Sequence, residues 1–275
     1  MEREKIPQVG SLIFAAGRGS RMKGYEGNKV LLPLLPGPDP YAGARPILLH
    51  ILENLPLGPK AVVVHHQKED IFKATTEAKD LAFFEQPVLN GTGGALLAAE
   101  DFLRQDSFEQ VIITMGDVPF VKRDTYLNLV RALDTVQLAV LGFLPEHRRQ
   151  YGVLETEGRY VKRIIEWTYW KEFPKEQRDP LRICNSGIYA ARRKDLLAYV
   201  PLLGQKGHVV HKERGGKVVE LEEFFITDLV EMMDRDGLRV GHVLARDEEE
   251  VMGLDDLSSL LRAQEIYASS RPASS

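Results

Sequence analysis

Short apolar runs alternate with amphipathic stretches along the first half of the chain. The apolar runs predict buried strands at 9–15, 61–64, 83–88, 111–114 and 137–143. Helical spacing or composition predicts helices at 46–55, 69–79, 93–103 and 125–133. Because the strands are apolar throughout and alternate with helices, we expect an α/β fold: a mixed, mostly parallel, Rossmann-like sheet flanked by helices.

The pattern changes after residue 150. Residues 152–166 predict a hairpin that turns near Glu157 and Gly158, a further strand is predicted at 183–190, and the polar stretch 204–216 predicts a loop. Helices are predicted at 224–233 and 255–267. We therefore expect one domain over residues 1–268, with a nucleotide-binding half up to about 145, a substrate-binding half from about 146 and a frayed tail at 269–275.

Composition excludes several classes of protein. The formal net charge is −4 and no long basic run occurs, so we expect no nucleic-acid partner. Cys184 is the only cysteine, which excludes an internal disulfide and a cysteine-based zinc cluster. No apolar stretch has the length of a membrane span, and the charged start of the chain does not resemble a signal peptide, so we expect a cytoplasmic protein without a membrane partner.

Candidate chemistry is concentrated in the segment LIFAAGRGSRM at 12–22. Gly17 and Gly19 allow backbone N–H groups to turn toward phosphate oxygens. Arg18, Arg21 and Lys29 bring positive charge to the same loop, which suits a polyphosphate ligand. This combination predicts a site for a nucleoside triphosphate.

Two other phosphate-binding loops are excluded by spacing. A P-loop needs a lysine directly after its second glycine, and Tyr25 follows Gly24. The dinucleotide-binding fingerprint needs a third glycine where Met22 stands. The segment is therefore neither of these loops.

The string AAGRGSRM, followed by NKVLLPL at 28–34, resembles the signature of the sugar-nucleotide pyrophosphorylases. It is most similar to the uridylyltransferase half of the bifunctional, GlmU-type enzymes that make UDP-N-acetylglucosamine, and the likeness continues in order to Leu257. The resemblance implies a nucleotide-diphospho-sugar transferase fold. It also implies a Mg²⁺-dependent enzyme that joins UTP to N-acetylglucosamine 1-phosphate and releases pyrophosphate.

The resemblance also implies roles for individual residues. Arg21 and Lys29 would be catalytic, and Asp117 and Asp255 would bind Mg²⁺. The residues implied to bind the nucleotide are Ala15, Ala16, Gly17, Arg18, Gly19, Ser20, Gln86, Gly91, Thr92 and Gly116. Those implied to surround the sugar are Gly152, Glu166, Asn185 and Thr227.

Some of these assignments have plain structural alternatives. Lys29 could be a solvated surface lysine. Asp255 could cap the last helix instead of binding metal, and Asp256 could be the ligand if the register is displaced by one residue. Glu166 could form a surface ion pair with Lys162 or Arg163 instead of contacting a sugar.

Departures from the family pattern leave the base and the sugar open. Asn28 replaces a usual proline, Leu89 replaces a second base-reading glutamine, Gly94 replaces a frequent histidine, and 167–169 replaces a charged stretch. CTP, GTP or dTTP, glucose 1-phosphate, or a non-catalytic sugar-nucleotide-binding regulatory role are the alternatives. No hexapeptide repeat follows residue 250, so we expect no acetyltransferase activity. The expected partners are small molecules, and the oligomeric state is not predicted.

Overall fold

The structure, a computed structural model, describes residues 8–19, 21–22, 24–214 and 217–270. Its strands are β1 (Val9–Phe14), β2 (Pro33–Pro36), β3 (Gly43–Pro46), β4 (Lys60–Val64), β5 (Leu81–Glu85), β6 (Gln110–Met115), β7 (Leu138–Phe143), β8 (Val153–Glu157), β9 (Tyr160–Ile165), β10 (Cys184–Arg192), β11 (His208–Arg214), β12 (Lys217–Glu223) and β13 (Val240–Leu244). Its helices are α1 (Ile47–Asn54), α2 (Lys68–Ala74), α3 (Gly91–Ala98), α4 (Glu100–Leu103), α5 (Arg123–Ala132), α6 (Trp167–Trp170), α7 (Lys175–Arg178), α8 (Arg193–Leu203), α9 (Asp228–Arg235) and α10 (Leu257–Ser269), with short 3₁₀ turns at Lys29–Leu31 and Glu249–Val251.

A nine-stranded sheet in the order β5-β4-β1-β6-β10-β7-β13-β9-β8 forms the centre of the molecule. The pairs β5–β4, β4–β1, β1–β6 and β7–β13 are parallel, and only β9 and β10 run against the common direction. The predicted mixed, mostly parallel α/β sheet is confirmed. Strands from both predicted halves of the chain are hydrogen-bonded within it.

Both faces of this sheet are covered. Successive residues of β1 belong to different apolar clusters: Ile13 packs with α1, α5 and α10, whereas Leu12 and Phe14 pack with α3, α8 and α9. Leu12 and Ile13 have no exposed surface at all. Burial on both faces explains why the central strands are apolar throughout.

The last helix is held against the first half of the chain. Gln264 on α10 is buried, and its amide nitrogen donates to the carbonyl groups of Pro33 at 2.9 Å and Pro40 at 2.8 Å. The donors and acceptors of a buried amide need partners, so these bonds fix the position of α10 on the β2–β3 hairpin. This contact places the residues just before α10 beside the phosphate loop.

Several sequence predictions of secondary structure are wrong in part. The loop predicted at 204–216 instead contains β11, which pairs antiparallel with β12 in a separate two-stranded sheet. The helix predicted at 93–103 is divided, because Ala99 has left the α-helical region at φ −104° and ψ 17°. The helix predicted at 224–233 begins only at Asp228, because residues 224–226 are hydrogen-bonded to the start of α3.

Other boundaries differ by a few residues. The helix predicted at 69–79 ends at Ala74, where the Thr75 and Thr76 hydroxyls donate to carbonyl groups one turn back. The strand predicted at 83–88 ends at Glu85, before Pro87, which has no N–H for the ladder. The sequence reasoning missed α8, β13 and the β2–β3 hairpin. In the described ranges, no helix is long and apolar enough to cross a bilayer.

Candidate active site

The candidate site lies where the parallel strands β1 and β6 end side by side. The loop 15–19 follows β1, and Gly116 and Asp117 follow β6. The Gly116 amide donates to the Phe14 carbonyl at 2.8 Å, which continues the pairing of these strands and holds Asp117 next to the loop. Ligand sites of open α/β sheets occur at this carboxyl edge.

Lys29 is positioned by a capped turn. Its 3₁₀ turn begins after Asn28, whose side-chain oxygen accepts from the Val30 amide at 3.1 Å and whose side-chain nitrogen donates to the His66 carbonyl at 2.7 Å. Asn28 is only 2% exposed. The asparagine that departs from the family pattern therefore anchors the turn that carries Lys29.

Gly19 allows the phosphate loop to approach this lysine closely. Its φ of +61° is in the left-handed region, and a Cβ at this position would lie 3.1 Å from the Cβ of Lys29. Any larger residue would be strained by its backbone conformation and crowded by Lys29. The second glycine of the loop is thus explained by local geometry.

Four charged side chains meet beside the loop. The Lys29 ammonium donates to the Asp117 carboxylate and lies 3.4 Å from Asp255 Oδ1. Arg21 Nη2 lies 2.9 Å from the same Asp255 oxygen. The structure therefore brings together both residues predicted to be catalytic and both predicted to bind metal.

Lys29 is charged despite its burial. Its side chain is only 11% exposed. Burial alone lowers the pKa of Lys29, but the charges and hydrogen bonds of Asp117 and Asp255 together outweigh it, so the pKa is raised above its usual value. A surface lysine would have neither this burial nor these two partners.

Asp255 and Asp256 have clearly different environments. The Asp256 carboxylate accepts from the Ser259 amide at 2.8 Å, and the Asp256 amide donates to the Ser259 hydroxyl oxygen, which completes a capping box on α10. Asp255 instead faces Lys29 and Arg21. Asp256 is thus the helix cap.

The donor set suits a hard divalent cation. The carboxylates of Asp117 and Asp255 lie close together, because both contact the Lys29 ammonium. Among the described residues, no group of three or more His, Cys, Asp or Glu side chains could hold a metal. Mg²⁺ accepts few protein oxygens when phosphates and water complete its shell, so the pair fits Mg²⁺ bound together with a polyphosphate.

A cavity of about 280 Å³ lies beside these charges. It is lined by residues from the phosphate loop, the start of α3 and the end of β6, together with Leu89 and Glu223. Those predicted from the sequence are Ala15, Ala16, Gly17, Lys29, Gln86, Gly91, Thr92 and Asp117. Arg18, Gly19 and Gly116 are close by in the chain but do not line it, and Ser20 lies outside the described residues.

The amide of Gln86 has a fixed orientation in this cavity. Its nitrogen donates to the Gly91 carbonyl at 3.1 Å and to Asn90 Oδ1 at 3.0 Å. A carbonyl can only accept, so the Gly91 bond decides which end of the Gln86 amide is nitrogen. The other end of the amide, Gln86 Oε1, has no hydrogen-bond partner among the described residues.

Gly94 makes this arrangement possible. A Cβ at Gly94 would lie 1.8 Å from Asn90 Oδ1 and 3.0 Å from Gln86 Nε2. Asn90 therefore occupies space that a side chain at position 94 would need. The bond between Asn90 and Gln86 therefore depends on the glycine at position 94.

All four residues predicted to surround the sugar are brought together. The backbone N–H of Asn185 donates to the Gly152 carbonyl at 2.8 Å, and the Thr227 hydroxyl donates to Glu166 Oε1 at 3.0 Å. A Cβ on Gly152 would lie 3.4 Å from Glu166 Oε2. Lys162 and Arg163 have other acidic partners, so the surface ion-pair alternative for Glu166 is wrong.

Burial perturbs Glu166. Desolvation raises the pKa of this carboxyl group, the bond from Thr227 opposes the rise, and the nearby charge of Asp228 adds to it. The result is a pKa above the usual value for glutamate. Such a partly desolvated carboxyl group is an effective partner for sugar hydroxyl and amide groups.

Comparison with known proteins decides the family. A model of the MobA-like NTP transferase domain matches residues 11–207, well over half of the chain. The chain belongs to the MobA-like NTP transferase domain family. It is therefore a nucleotidyltransferase, and the sequence-based prediction of this enzyme class is confirmed.

Individual relatives agree with the resemblance seen in the sequence. The chain is 33% identical over 263 residues to the bifunctional protein GlmU of Sphingopyxis alaskensis, covering 93% of the chain and 52% of that protein. It is 32% identical over 270 residues to GlmU of Novosphingobium aromaticivorans, covering 95% and 53%. The chain thus spans about half the length of these relatives.

Solved structures share the fold at low sequence identity. A protein from Entamoeba histolytica described as a UDP-N-acetylglucosamine pyrophosphorylase has a TM-score of 0.68 at 14% identity, over 94% of this chain and 80% of that one. A Bacillus anthracis protein described as a glucose-1-phosphate thymidylyltransferase has a TM-score of 0.67 at 18% identity, over 97% and 98%. These likenesses confirm the nucleotide-diphospho-sugar transferase fold.

Within this nucleotidyltransferase, the sequence reasoning missed some residues of the site. Met115 lines the cavity, and a Cβ at Gly187 would lie 3.2 Å from its Cε atom. Tyr189 accepts from the Asn185 side-chain nitrogen at 2.9 Å. The position of Met115, directly before Gly116 and Asp117, is a signal that could have identified it, whereas Gly187 and Tyr189 have none.

Proposed function

We propose that the chain transfers a uridylyl group from UTP to N-acetylglucosamine 1-phosphate, giving UDP-N-acetylglucosamine and pyrophosphate. The observation that carries the proposal is the convergence of Lys29, Arg21, Asp117 and Asp255 beside the cavity. Two cations and two acidic groups at one edge of the sheet suit the transfer of a phosphate-linked group, in which positioning and charge neutralisation supply most of the catalysis.

The reaction needs no general base. A phosphate oxygen of the sugar phosphate is already ionised, and it attacks the α-phosphorus of the nucleotide as the bond to the pyrophosphate oxygen breaks. Lys29, charged and largely buried, neutralises negative charge on the reacting phosphates, and Arg21 does the same at the β- and γ-phosphates. Asp117 and Asp255 would hold Mg²⁺, which supplies further charge neutralisation when bound.

The base assignment rests on Gln86. The oxygen of its amide can accept from the ring N–H of uracil, and this polar group is held in place by two bonds. Backbone N–H groups at the start of α3 are suited to the carbonyl groups of the base. UTP fits this arrangement, and one structural neighbour is described as a UDP-N-acetylglucosamine pyrophosphorylase.

The sugar assignment rests on the cluster of Gly152, Glu166, Asn185 and Thr227. Together they offer a carboxyl group, a hydroxyl group and a side-chain amide, and Gly152 contacts both Asn185 and Glu166. A sugar that carries hydroxyl groups and an acetamido group needs this mixture of donors and acceptors.

One observation favours a second candidate, the same chemistry with another base or sugar. Leu89 lines the cavity where the family pattern has a polar side chain, so one base contact of that pattern is missing. A non-catalytic binding protein is the remaining alternative, and it would have no need for both Asp117 and Asp255.

Pyrophosphate release tests the proposal. UTP, dTTP, CTP and GTP would each be assayed with Mg²⁺ against glucose 1-phosphate and N-acetylglucosamine 1-phosphate, with the Asp117→Asn variant as a blank for contaminating activity. We expect the highest kcat/KM for UTP with N-acetylglucosamine 1-phosphate. A different best pair would overturn the substrate assignment, and no release from any pair would favour the binding-protein alternative.

A further inference from the structure

A second cleft, of about 960 Å³, has Asp255 among its lining residues and shares no lining residue with the nucleotide cavity. Arg21, Asp255 and Asp256 line it, and so does Arg149. None of the four sugar-site residues and none of the base-contacting residues does. Because it contains Arg21 and Asp255 but neither the base nor the sugar residues, the cleft lies at the polyphosphate end of the site.

Most charged residues that line this cleft already have partners. Arg21 pairs with Asp255, Arg262 with Glu249, and Asp256 caps α10. Glu248 accepts from the Glu146 amide at 3.4 Å. Within the described part of the chain, Arg149 is the lining cation for which no ion pair is formed.

Arg149 lies in a turn whose backbone suits a different residue. The Tyr151 amide donates to the Arg148 carbonyl at 3.1 Å, and Arg149 has a φ of +42°. The second position of such a turn favours Gly, Asn or Asp, because a Cβ is strained there. An arginine is therefore an unfavourable choice for this backbone conformation.

The turn is fixed on both sides of Arg149. Arg148 donates to the carbonyl groups of Arg178 at 2.6 Å and Leu181 at 2.8 Å, and its guanidinium lies 5.1 Å from the Trp170 ring centroid. The Trp170 indole donates to the Tyr151 carbonyl at 2.8 Å. Arg149 thus lines the cleft from a turn that is hydrogen-bonded on both sides, and its neighbour Arg148 anchors that turn.

The charges of the cleft act on one another. Burial raises the pKa of Tyr151, the positive charge of Arg149 lowers it, and the negative charges of Glu248 and Asp255 raise it. Arg149 and Asp255 are therefore both within electrostatic reach of the same phenol group. This proximity agrees with their positions on the walls of one cleft.

We propose that Arg149, together with Arg21, binds the pyrophosphate group: the β- and γ-phosphates of the nucleotide and, after transfer, the released pyrophosphate. The identity of the substrate in this inference rests on the proposed function. The test itself requires only that the protein binds an anion. A guanidinium group can bond two phosphate oxygens at once, which suits a group that carries most of its charge on terminal oxygens.

Inorganic pyrophosphate, titrated calorimetrically with Mg²⁺ present, is the probe. Arg149→Gly removes the charge and relieves the unfavourable φ, so it should fold at least as well as the parent yet bind pyrophosphate about tenfold more weakly. Arg149→Lys should retain part of the affinity. Arg131→Ala, which removes a charge from the exposed side of α5, is the matched control and should bind pyrophosphate as the parent does.

Any of three binding results would overturn the inference: unchanged pyrophosphate affinity in Arg149→Gly, an equal loss in Arg131→Ala, or no pyrophosphate binding by the parent protein. A rise in KM for the sugar phosphate alone would also overturn it, by assigning Arg149 to the other substrate. Pyrophosphate binding through Arg149 without any nucleotidyl transfer would instead refute the proposed function and leave this inference standing.

Discussion

The Lys29 ammonium lies 3.4 Å from the Asp255 carboxylate although 226 positions separate the two residues in the chain. Two contacts bring these distant segments of the chain together. The Leu254 amide donates to the Asp117 carbonyl at 3.0 Å, and Gln264 holds α10 against the β2–β3 hairpin. The C-terminal segment therefore completes a site whose other charged residues belong to the first half of the chain.

This arrangement predicts different results for two adjacent aspartates. Asp255→Ala should lower kcat by about a hundredfold or more, because a charge at the reacting phosphates is lost, and should change stability little. Asp256→Ala should leave kcat nearly unchanged and lower the free energy of unfolding by about 1 kcal/mol, because the cap of α10 is lost. Turnover and urea unfolding of both variants provide the check. A greater loss of turnover in Asp256→Ala would contradict the assignment.

Lys29→Met should nearly abolish turnover while the protein stays folded. Methionine fills a similar volume, but the positive charge between Asp117 and Asp255 is lost. We expect kcat to fall by about a hundredfold or more. Lys68→Met is the matched control: Lys68 is paired with Glu85 at the surface, where ion pairs contribute little to stability. Equal kcat values for the two variants would refute the catalytic role of Lys29.

Glu166→Gln should become more stable relative to the parent as pH rises. The pKa of Glu166 is raised in the folded protein, so its stabilising contribution is present below the ordinary glutamate pKa and is lost as pH rises through the raised value. Glutamine is neutral at every pH and can still accept from Thr227. The difference in Tm between variant and parent should therefore be more positive at pH 8 than at pH 5.

The same variant should bind the sugar substrate poorly. We expect a higher KM for the sugar phosphate and an unchanged KM for the nucleotide. A difference in Tm that does not vary with pH would contradict the buried environment of Glu166. A change in the nucleotide KM alone would contradict the sugar assignment and would place Glu166 at the nucleotide instead.

Gly94→Ala should weaken nucleotide binding selectively. Its Cβ would lie 1.8 Å from Asn90 Oδ1, so Asn90 must move and release the Gln86 amide. Losing the orientation of one buried hydrogen-bonding group should raise the nucleotide KM by roughly tenfold, with little change for the sugar phosphate. Asn90→Ala removes the same bond without a clash and should have a similar effect. A normal nucleotide KM in both variants would show that the orientation of Gln86 is unimportant.

The sequence was informative where periodicity is strong. The apolar runs of β1, β4, β6 and β7 correctly predict central strands, because burial on both faces leaves no polar positions to obscure them. In contrast, β11 has only two apolar residues, the adjacent Val209 and Val210, and pairs only with β12, so its strand character depends on a partner. Helix α8, which was not predicted, contains Pro201, a residue type that disfavours the interior of a helix.

Site residues were predictable only in part. The spacing of Gly17, Gly19, Arg21 and Lys29 indicates a phosphate site without any knowledge of the fold. The approach of Asp255 to Lys29, or of Thr227 to Glu166, depends on packing between distant segments. Resemblance to a family predicted these pairs, whereas local chemistry could not. The role of Asn90 in orienting Gln86 depends on an empty space at Gly94 and is visible only in three dimensions.

The most direct test of the central claim follows the α-phosphorus of the nucleotide. Purified protein would be incubated with Mg²⁺, UTP labelled with ³²P at the α-position and N-acetylglucosamine 1-phosphate, and the products separated. We predict that all transferred label appears in UDP-N-acetylglucosamine, that the pyrophosphate is unlabelled, and that Asp117→Asn forms neither product. Label that remains in UTP, appears as UMP or becomes bound to the protein would contradict direct transfer between the two substrates.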